Sequence, residues 1–444
     1  MHLLIKFCDT LSGFLWSFPM LILLMGTHLY FTFRLGFIQK WLFRGIRLSF
    51  AKPKEGSGGV SPFAALATAL AATIGTGNII GISTAIAIGG PGAVFWCWVT
   101  GVLGMATCYG ECLLSVIHQR RSDRGGCVGG PMYVLKYELH KPVWACLFSV
   151  AAVLASFGVG SSVQAQAISG AITRHVALSP GLIGLVAMIV AGFVILGGIR
   201  QISKICTFFV PFMSLFYLAG CFWLLALNRA YLGQAASLIF RSAFSSRSLA
   251  GGVAGTAVLM GIRIGISRGL FTNEAGLGSF PMAAASARGN TPTNQSLISM
   301  TGPFWDTVVL CAVTGLVIVS SILKTPGAYQ NISMDALCFS AFGQLPFLGE
   351  EILSLSLVLF AFATILGWCY YGECGVRFLV GERGLGVYRL LYLMFIYLGA
   401  VMSLDLVWGM SDLLNAFMAL PNLICLWLLR KQVIDATKSG GLMR

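Results

Sequence analysis

The chain has 444 residues, 57% of them hydrophobic and 10% charged, with a formal net charge of +14 and a mean hydropathy of +0.85. Soluble domains carry about 25% charged residues, so this composition excludes a water-solvated globular domain and describes a polytopic membrane protein. The basic excess sits in short loops suited to anionic lipid headgroups. No soluble module gathers it into a basic face with aromatic platforms, which argues against a nucleic-acid partner.

Apolar runs recur from end to end, and about 20 residues suffice to cross a hydrocarbon core of about 30 Å. They predict about eleven spans, at 11–33, 61–88, 92–117, 142–171, 181–198, 204–227, 251–288, 296–322, 348–371, 385–404 and 409–429. The first run is too long for a signal-peptide core and has no small-residue cleavage site, so it reads as a retained helix. The stretch RLGFIQKWLFRGIRLSFAKPKEGSGG that follows reads as an amphipathic surface helix and then a flexible loop. No connection is long enough for a second domain. Residues 1–444 therefore read as one membrane domain, with a short tail at 430–444.

Lysine and arginine bias sets the orientation. Arg34, Lys40, Arg44, Arg47, Lys52 and Lys54 follow the first span, and Arg120, Arg121, Arg124, Lys136 and Lys141 follow the third. Arg430, Lys431, Lys438 and Arg444 close the chain. An N-terminus outside and a C-terminus in the cytoplasm collect all of these on one side. Arg229, Arg241 and Arg247 run against the pattern. The 13 cysteines are scattered, beginning with Cys8, Cys97, Cys108 and Cys112, and form no CxxC or Cys/His cluster. Neither a zinc site nor a disulfide framework is signalled.

The second span contains ATIGTGNIIGI, with Gly75, Thr76, Gly77 and Asn78 near mid-depth. A lipid-exposed break there would leave backbone groups unpaired, so a break survives only where it lines a cavity or is buried in protein. The half-helix before it ends in free carbonyls, and the half-helix after it begins with free N–H groups. Such a point suits a zwitterion, or an anion accompanied by a metal cation. A nucleotide loop does not fit, because GTGNIIG has the wrong glycine spacing and no flanking strand. A glycine-mediated helix-packing face is the other reading.

The seventh span contains GIRIGISRGLFTNEAGLG and predicts a second break. Its outer half would run over 251–264 and its inner half over 272–288, with Thr272 as N-cap and Glu274 in the first turn. Setting the first span aside leaves two five-span blocks, 61–227 and 251–429, each opening with a broken helix and inverted relative to the other. That arrangement points to a secondary transporter with a mid-membrane site. The fold expected is all-α and LeuT-like, an inverted 5+5 repeat preceded by one extra helix.

The segments GTGNIIGISTAIAIGGPGAVFWCWVTGVLGMATCYGEC, GGPMYVL, RGLFTNEAGLGSFP and FATILGWCYYGE resemble the sodium:alanine (alanine or glycine:cation) symporter family, in order and over nearly the whole chain. The resemblance implies sodium-coupled uptake of small neutral amino acids such as alanine or glycine. It implies a monomer in a bacterial or archaeal cell membrane, with no cofactor beyond the coupling sodium. Gly75, Thr76, Gly77 and Asn78 would cradle the substrate carboxylate, and Gln164 would face the same pocket. Trp368 would form the wall that limits side-chain size, and Phe271 a second wall. Sodium would take the carbonyls of Ala71 and Ile74 and the hydroxyl of Thr364, hard oxygen donors for a hard cation.

The chain departs from the family pattern at several points. Ala363 stands where a serine is expected, asparagines expected near Ser161 and Gln166 are replaced, and FWMW reads Phe95-Trp96-Cys97-Trp98. A proton-coupled or uncoupled carrier of the same fold, with another small substrate, therefore stays open. Asp306, near mid-depth in the eighth span, is the candidate ion ligand or proton carrier, or else a structural partner of a broken helix. Glu111, Glu350, Glu351 and Glu373 are expected near span ends, at the interface. An enzyme is not indicated, because the histidines have no nucleophile–base or metal-ligand pattern at depth. A channel fits inverted broken helices less well than alternating access does.

Overall fold

The computed structural model describes residues 11, 15–16, 18–51, 60–121, 126–244, 254–329, 336–402 and 405–443. Lys6, Lys52, Lys54, Arg124, Arg247, Arg444, Cys8 and the flexible loop expected after residue 51 lie outside them. Almost everything described is helical. Helix α1 (Phe18–Arg34) turns by 68° through a short 3-10 segment into α2 (Leu42–Ser49). Then come α3 (Pro62–Thr73), a 3-10 turn (Thr76–Asn78), α4 (Ile80–Gly89) and α5 (Gly92–Ile117). A small hairpin, β1 (Arg120–Arg121) with β2 (Cys127–Val128), precedes α6 (Pro131–Tyr137). The long α7 (Pro142–Thr173), α8 (Pro180–Ile195), α9 (Gly198–Leu227) and the short α10 (Leu232–Phe244) follow. The second half holds α11 (Ala254–Asn273), α12 (Phe280–Ala284), α13 (Pro292–Lys324), α14 (Ala336–Phe342), α15 (Gly349–Val380), α16 (Leu385–Val401), α17 (Asp405–Leu428) and α18 (Arg430–Ser439).

Several helix starts are written in the local sequence. Ser61, Ser179 and Thr291 each precede a proline at the first helical position. Each hydroxyl accepts a backbone N–H of the first turn, at 3.1, 3.3 and 3.3 Å. Proline fits there because its missing N–H would have had no partner. Burial then sorts the helices. Most of α5 and α15 is buried, whereas α9 and α16 are largely exposed. Phe208 and Leu215 on α9, Phe193 on α8 and Leu390 on α16 point outward. An outer surface this apolar has lipid as its solvent.

Six described helices are long and apolar enough to cross a membrane, and the number rises to nine if each bent pair is one span. The two further spans expected from the sequence correspond to α8 and to α11 with α12. Helix α8 has 16 residues, about 24 Å at the α-helical rise, and needs tilt-free placement or local thinning to span. Helix α11 carries Arg263 and Arg268 in its interior.

Three expectations change. The seventh span does not break near residue 265: α11 runs unbroken to Asn273, and the break follows at 274–279. Thr272 caps no helix, since its hydroxyl donates to the Arg268 carbonyl at 2.5 Å. Glu274 lies in the break with a φ of 53° rather than in a first turn. The glycines that suggested a break are a packing stripe. Gly261, Gly265 and Gly269 recur every fourth residue. Added Cβ atoms would collide with Gly89, with Ala93 and Trp96, and with Cys97 and Thr100 respectively. Small residues at that spacing let two backbones approach closely.

The acids are the second change. Glu350 and Glu351 are exposed as expected. Glu111 and Glu373 are instead buried. Glu373 accepts from Arg389 Nε at 2.6 Å, and Arg377 lies 4.0 Å away. The third concerns the anomalous arginines. Arg229 and Arg241 are exposed, the first just before the short α10 and the second in its last turn; α10 lies across α5, with Trp96 Nε1 donating to the Ala243 carbonyl at 3.1 Å.

Candidate functional site

Helix α3 stops at Thr73, and the chain passes through Ile74 (φ −73°, ψ 92°) and Gly75 (φ −141°, ψ −156°) before the turn at Thr76–Asn78. The two half-helices meet at 60°. Asn78 holds this break. Its Oδ1 accepts the Gly75 N–H at 2.9 Å. In an unbroken helix that N–H would bond the Ala71 carbonyl four residues back, so Asn78 releases Ala71 for another partner. The Asn78 Nδ2 donates to Asp306 Oδ1 at 2.6 Å and to the Asp306 carbonyl at 3.1 Å. Asp306 lies in a π-helical stretch, Phe304–Cys311, and its second carboxyl oxygen accepts from Thr307 Oγ1 at 2.7 Å. The polar side chains of Asn78 and Asp306 are thus spent on each other, on the backbone and on Thr307.

Thr364 approaches from α15. Its hydroxyl is 3.5 Å from the Ile74 carbonyl and donates to the Phe360 carbonyl at 3.1 Å. Gly75 makes this approach possible, because a Cβ there would stand 2.5 Å from Thr364 Oγ1. Gly77 is equally constrained, with a Cβ falling 2.9 Å from Thr272 Cγ2. Ala71, Ile74, Thr364 and Ala363 are all buried.

A cavity of about 20 Å³ lies between the two breaks. Of the residues expected from the sequence, Gly75, Thr76, Gly77, Gln164, Phe271, Thr364 and Trp368 line it. Asn78, Ala71, Ile74 and Asp306 stand behind that wall. The volume holds about one water molecule. A second cavity of about 600 Å³ shares Thr76, Gly77 and Phe271 with the first, so Phe271 stands at the junction of the two.

Gln164 reaches the site from the turn that follows a π-helical stretch of α7, Ser156–Ser162. Its Nε2 donates to the Val159 carbonyl at 3.0 Å, and its Oε1 is 3.4 Å from Thr76 Oγ1. Trp368 is buried against Gly160 of that stretch, where any Cβ would overlap it. π-bulges of this kind occur often at functional sites, and two of them face the first break here.

The second break is built differently. Gly276 and Gly278 have φ of 88° and 84°, a region that glycine enters without steric cost. Its exposed backbone groups are met by side chains from other helices. Glu111 on α5 accepts the Gly276 N–H at 3.4 Å and Asn422 Nδ2 at 2.8 Å, and Asn422 also donates to the Gly276 carbonyl at 2.9 Å. Glu274 accepts from Ser279 Oγ at 2.5 Å and lines the cavity together with Asn415. Sequence reasoning missed Glu111, Glu274, Asn415 and Asn422 as parts of the site. For Glu111 a signal was present: an acid within an apolar span faces a partner or a cavity. On the extra helix, His28 is also buried and partnered, its Nδ1 2.7 Å from Thr107 Oγ1.

Comparison with known proteins gives a consistent result. The model of the "Sodium:alanine symporter family" matches residues 1–439. A Haemophilus influenzae protein named "Uncharacterized transporter" is 44% identical over 97% of this chain and 94% of its own length. The "Sodium/alanine symporter AgcS" of Methanococcus maripaludis is 41% identical over 99% of this chain and 98% of its own. Among solved structures, a substrate-bound, outward-open Na+-coupled sialic acid symporter superimposes with a TM-score of 0.55. It does so at 10% identity, over 92% of this chain and 97% of that one, and so shares the LeuT-type fold alone. The chain belongs to the sodium:alanine symporter family.

Proposed function

We propose that this protein is a secondary transporter that carries small neutral amino acids of the alanine or glycine class into the cell together with sodium. The observation that carries the proposal is the junction at the first break. There the carbonyl end of α3, the N–H end of α4 and the Thr364 hydroxyl meet beside one small cavity. The amides at the start of α4 and the glycines of the turn receive the substrate carboxylate, a favourable place for an anion. Sodium takes the Ala71 and Ile74 carbonyls and the Thr364 hydroxyl, with Asn78 acting by keeping Ala71 free. Gln164 orients Thr76, and Trp368 limits the substrate side chain.

A cavity of about one water is too small for an amino acid, so loading requires the two breaks to separate, with Phe271 turning between cavity and vestibule. The inverted five-helix blocks at 61–227 and 251–429 supply that movement. The protein works as a monomer in the cell membrane, N-terminus outside and C-terminus in the cytoplasm. Asp306 is read as a brace for Asn78, since both of its carboxyl oxygens are already engaged. The test is uptake of a panel of small neutral amino acids into proteoliposomes under imposed sodium or proton gradients. Accumulation of alanine or glycine driven by sodium is expected. Accumulation under a proton gradient alone overturns the sodium reading and returns Asp306 to the role of carrier.

A further inference from the structure

Among the described residues that line the small cavity, Glu274 is the one ionisable side chain. One of its carboxyl oxygens accepts from Ser279, and no basic residue shares the wall. A buried carboxylate without a cationic partner is costly. The backbone adds to the oddity, because Glu274 occupies a φ of 53°, where a non-glycine side chain is uncommon and strained. In the same wall Asn415 is buried, and its Oδ1 has no hydrogen-bond donor from the protein. The wall also contains Ala72 and Thr73 at the end of α3. The amides that would regularly bond their carbonyls, those of Thr76 and Gly77, lie beyond the end of the helix. Several acceptors therefore converge on one small space, opposite the N–H groups that begin α4.

A group with several N–H donors and a positive charge satisfies them together. We infer that Glu274, with Asn415 beside it, binds the ammonium group of the transported amino acid. The ligand class of the site is then the zwitterion and not the carboxylate alone. The inference rests on the amino-acid reading above and adds to it the group that rejects simple carboxylic acids. A carboxylate ligand lacking the ammonium leaves Glu274 and Asn415 unpaired and adds like-charge repulsion.

The test is equilibrium competition by L-alanine and by propionate against radiolabelled L-alanine on purified protein in detergent. For ligands too weak to compete, thermal stabilisation replaces it. Sites built to bond a polar group reject analogues lacking it by orders of magnitude, so the wild type is expected to prefer alanine by at least about 100-fold. In Glu274→Gln, alanine affinity should fall at least about 30-fold while propionate affinity holds or rises, so the preference collapses. Asn415→Ala should shift the same ratio in the same direction by about fivefold, and Glu274→Asp should restore part of it. Equal weakening of both ligands, or an unchanged ratio in Glu274→Gln, overturns the assignment, since a structural role has no reason to distinguish them. If Glu274→Gln does not elute as a monodisperse species, Asn415→Ala decides, and an unchanged ratio there overturns it. A wild type that binds no neutral amino acid fails the symport reading itself. Normal alanine binding with an unchanged ratio in the variants fails only the role given to Glu274.

Discussion

The two broken helices solve one problem in opposite ways. At the first break a single neutral side chain does most of the work: Asn78 closes the turn onto Gly75 and ties it to Asp306. The turn itself is small and uncharged, and the approaches of Thr364 and Thr272 to it are allowed by the absence of a Cβ at Gly75 and Gly77. At the second break the backbone runs through a loop with positive φ at Glu274, Gly276 and Gly278. It is held by residues distant in sequence, Glu111 and Asn422. A compact turn braced by its own side chain keeps carbonyls and N–H groups in fixed register, as ion and carboxylate binding require. A longer loop braced from outside can change its contacts when its braces move. The first break reads as the rigid binding element, and the second as the element that brings charge to the cavity and yields.

The comparison can be broken most severely at Asn78. Asn78→Ala leaves the Gly75 N–H free to bond Ala71 again and strips Asp306 Oδ1 of its donor. Misplacing positioned groups by about 1 Å can cost about 100-fold, and uptake in proteoliposomes with matched protein content should fall by at least that factor. Uptake near the wild-type rate would show that the first break does not depend on its asparagine.

Glu111→Ala attacks the second break through its brace. It leaves the buried Gly276 N–H without an acceptor and takes from Asn422 one of its two, at about 2 kcal/mol for a buried unpaired group. A clear drop in the thermal unfolding midpoint in detergent is expected, with Glu111→Gln retaining most of the stability. Equal stability of the alanine variant would mean that the loop is self-supporting, like the first break.

Thr364→Ala removes the side-chain hydroxyl that faces the Ile74 carbonyl. The sodium concentration for half-maximal uptake should rise about tenfold while the alanine profile keeps its order. A sodium dependence identical to wild type would place the ion elsewhere.

Trp368→Ala opens the wall at Gly160 and should make leucine or methionine better competitors of alanine uptake by about tenfold. An unchanged competition profile assigns Trp368 to packing alone. The smallest effect belongs to Ala363→Ser. An added hydroxyl beside Thr364 should tighten sodium by about threefold, and no change would mean that the new hydroxyl does not reach the ion.

Much of the architecture was legible without coordinates. Apolar runs and the polar Gly75-Thr76-Gly77-Asn78 within an apolar span act locally, and each led to an element close to where the structure places it. The second break shows where local reading fails. Gly261, Gly265 and Gly269 looked like helix weakeners, yet they are the face on which α11 meets the end of α4 and the start of α5. A glycine inside a helix reports either a break or a neighbour, and only the neighbour's position decides.

The sequence by itself determined that this chain lies in a membrane, that the second span breaks at residues 75–78, and that the motifs are those of a small-amino-acid symporter family. Those properties follow from hydropathy, backbone chemistry and residue order, which are written along one stretch of chain. The tertiary structure alone decided that Asn78 faces Asp306 rather than the cavity, that Glu111 braces Gly276, and that Glu274 and Asn415 share one wall with Trp368. Those pairings join residues up to 228 positions apart. A side chain's polarity states that it needs a partner at membrane depth, but which partner it finds depends on how the helices pack.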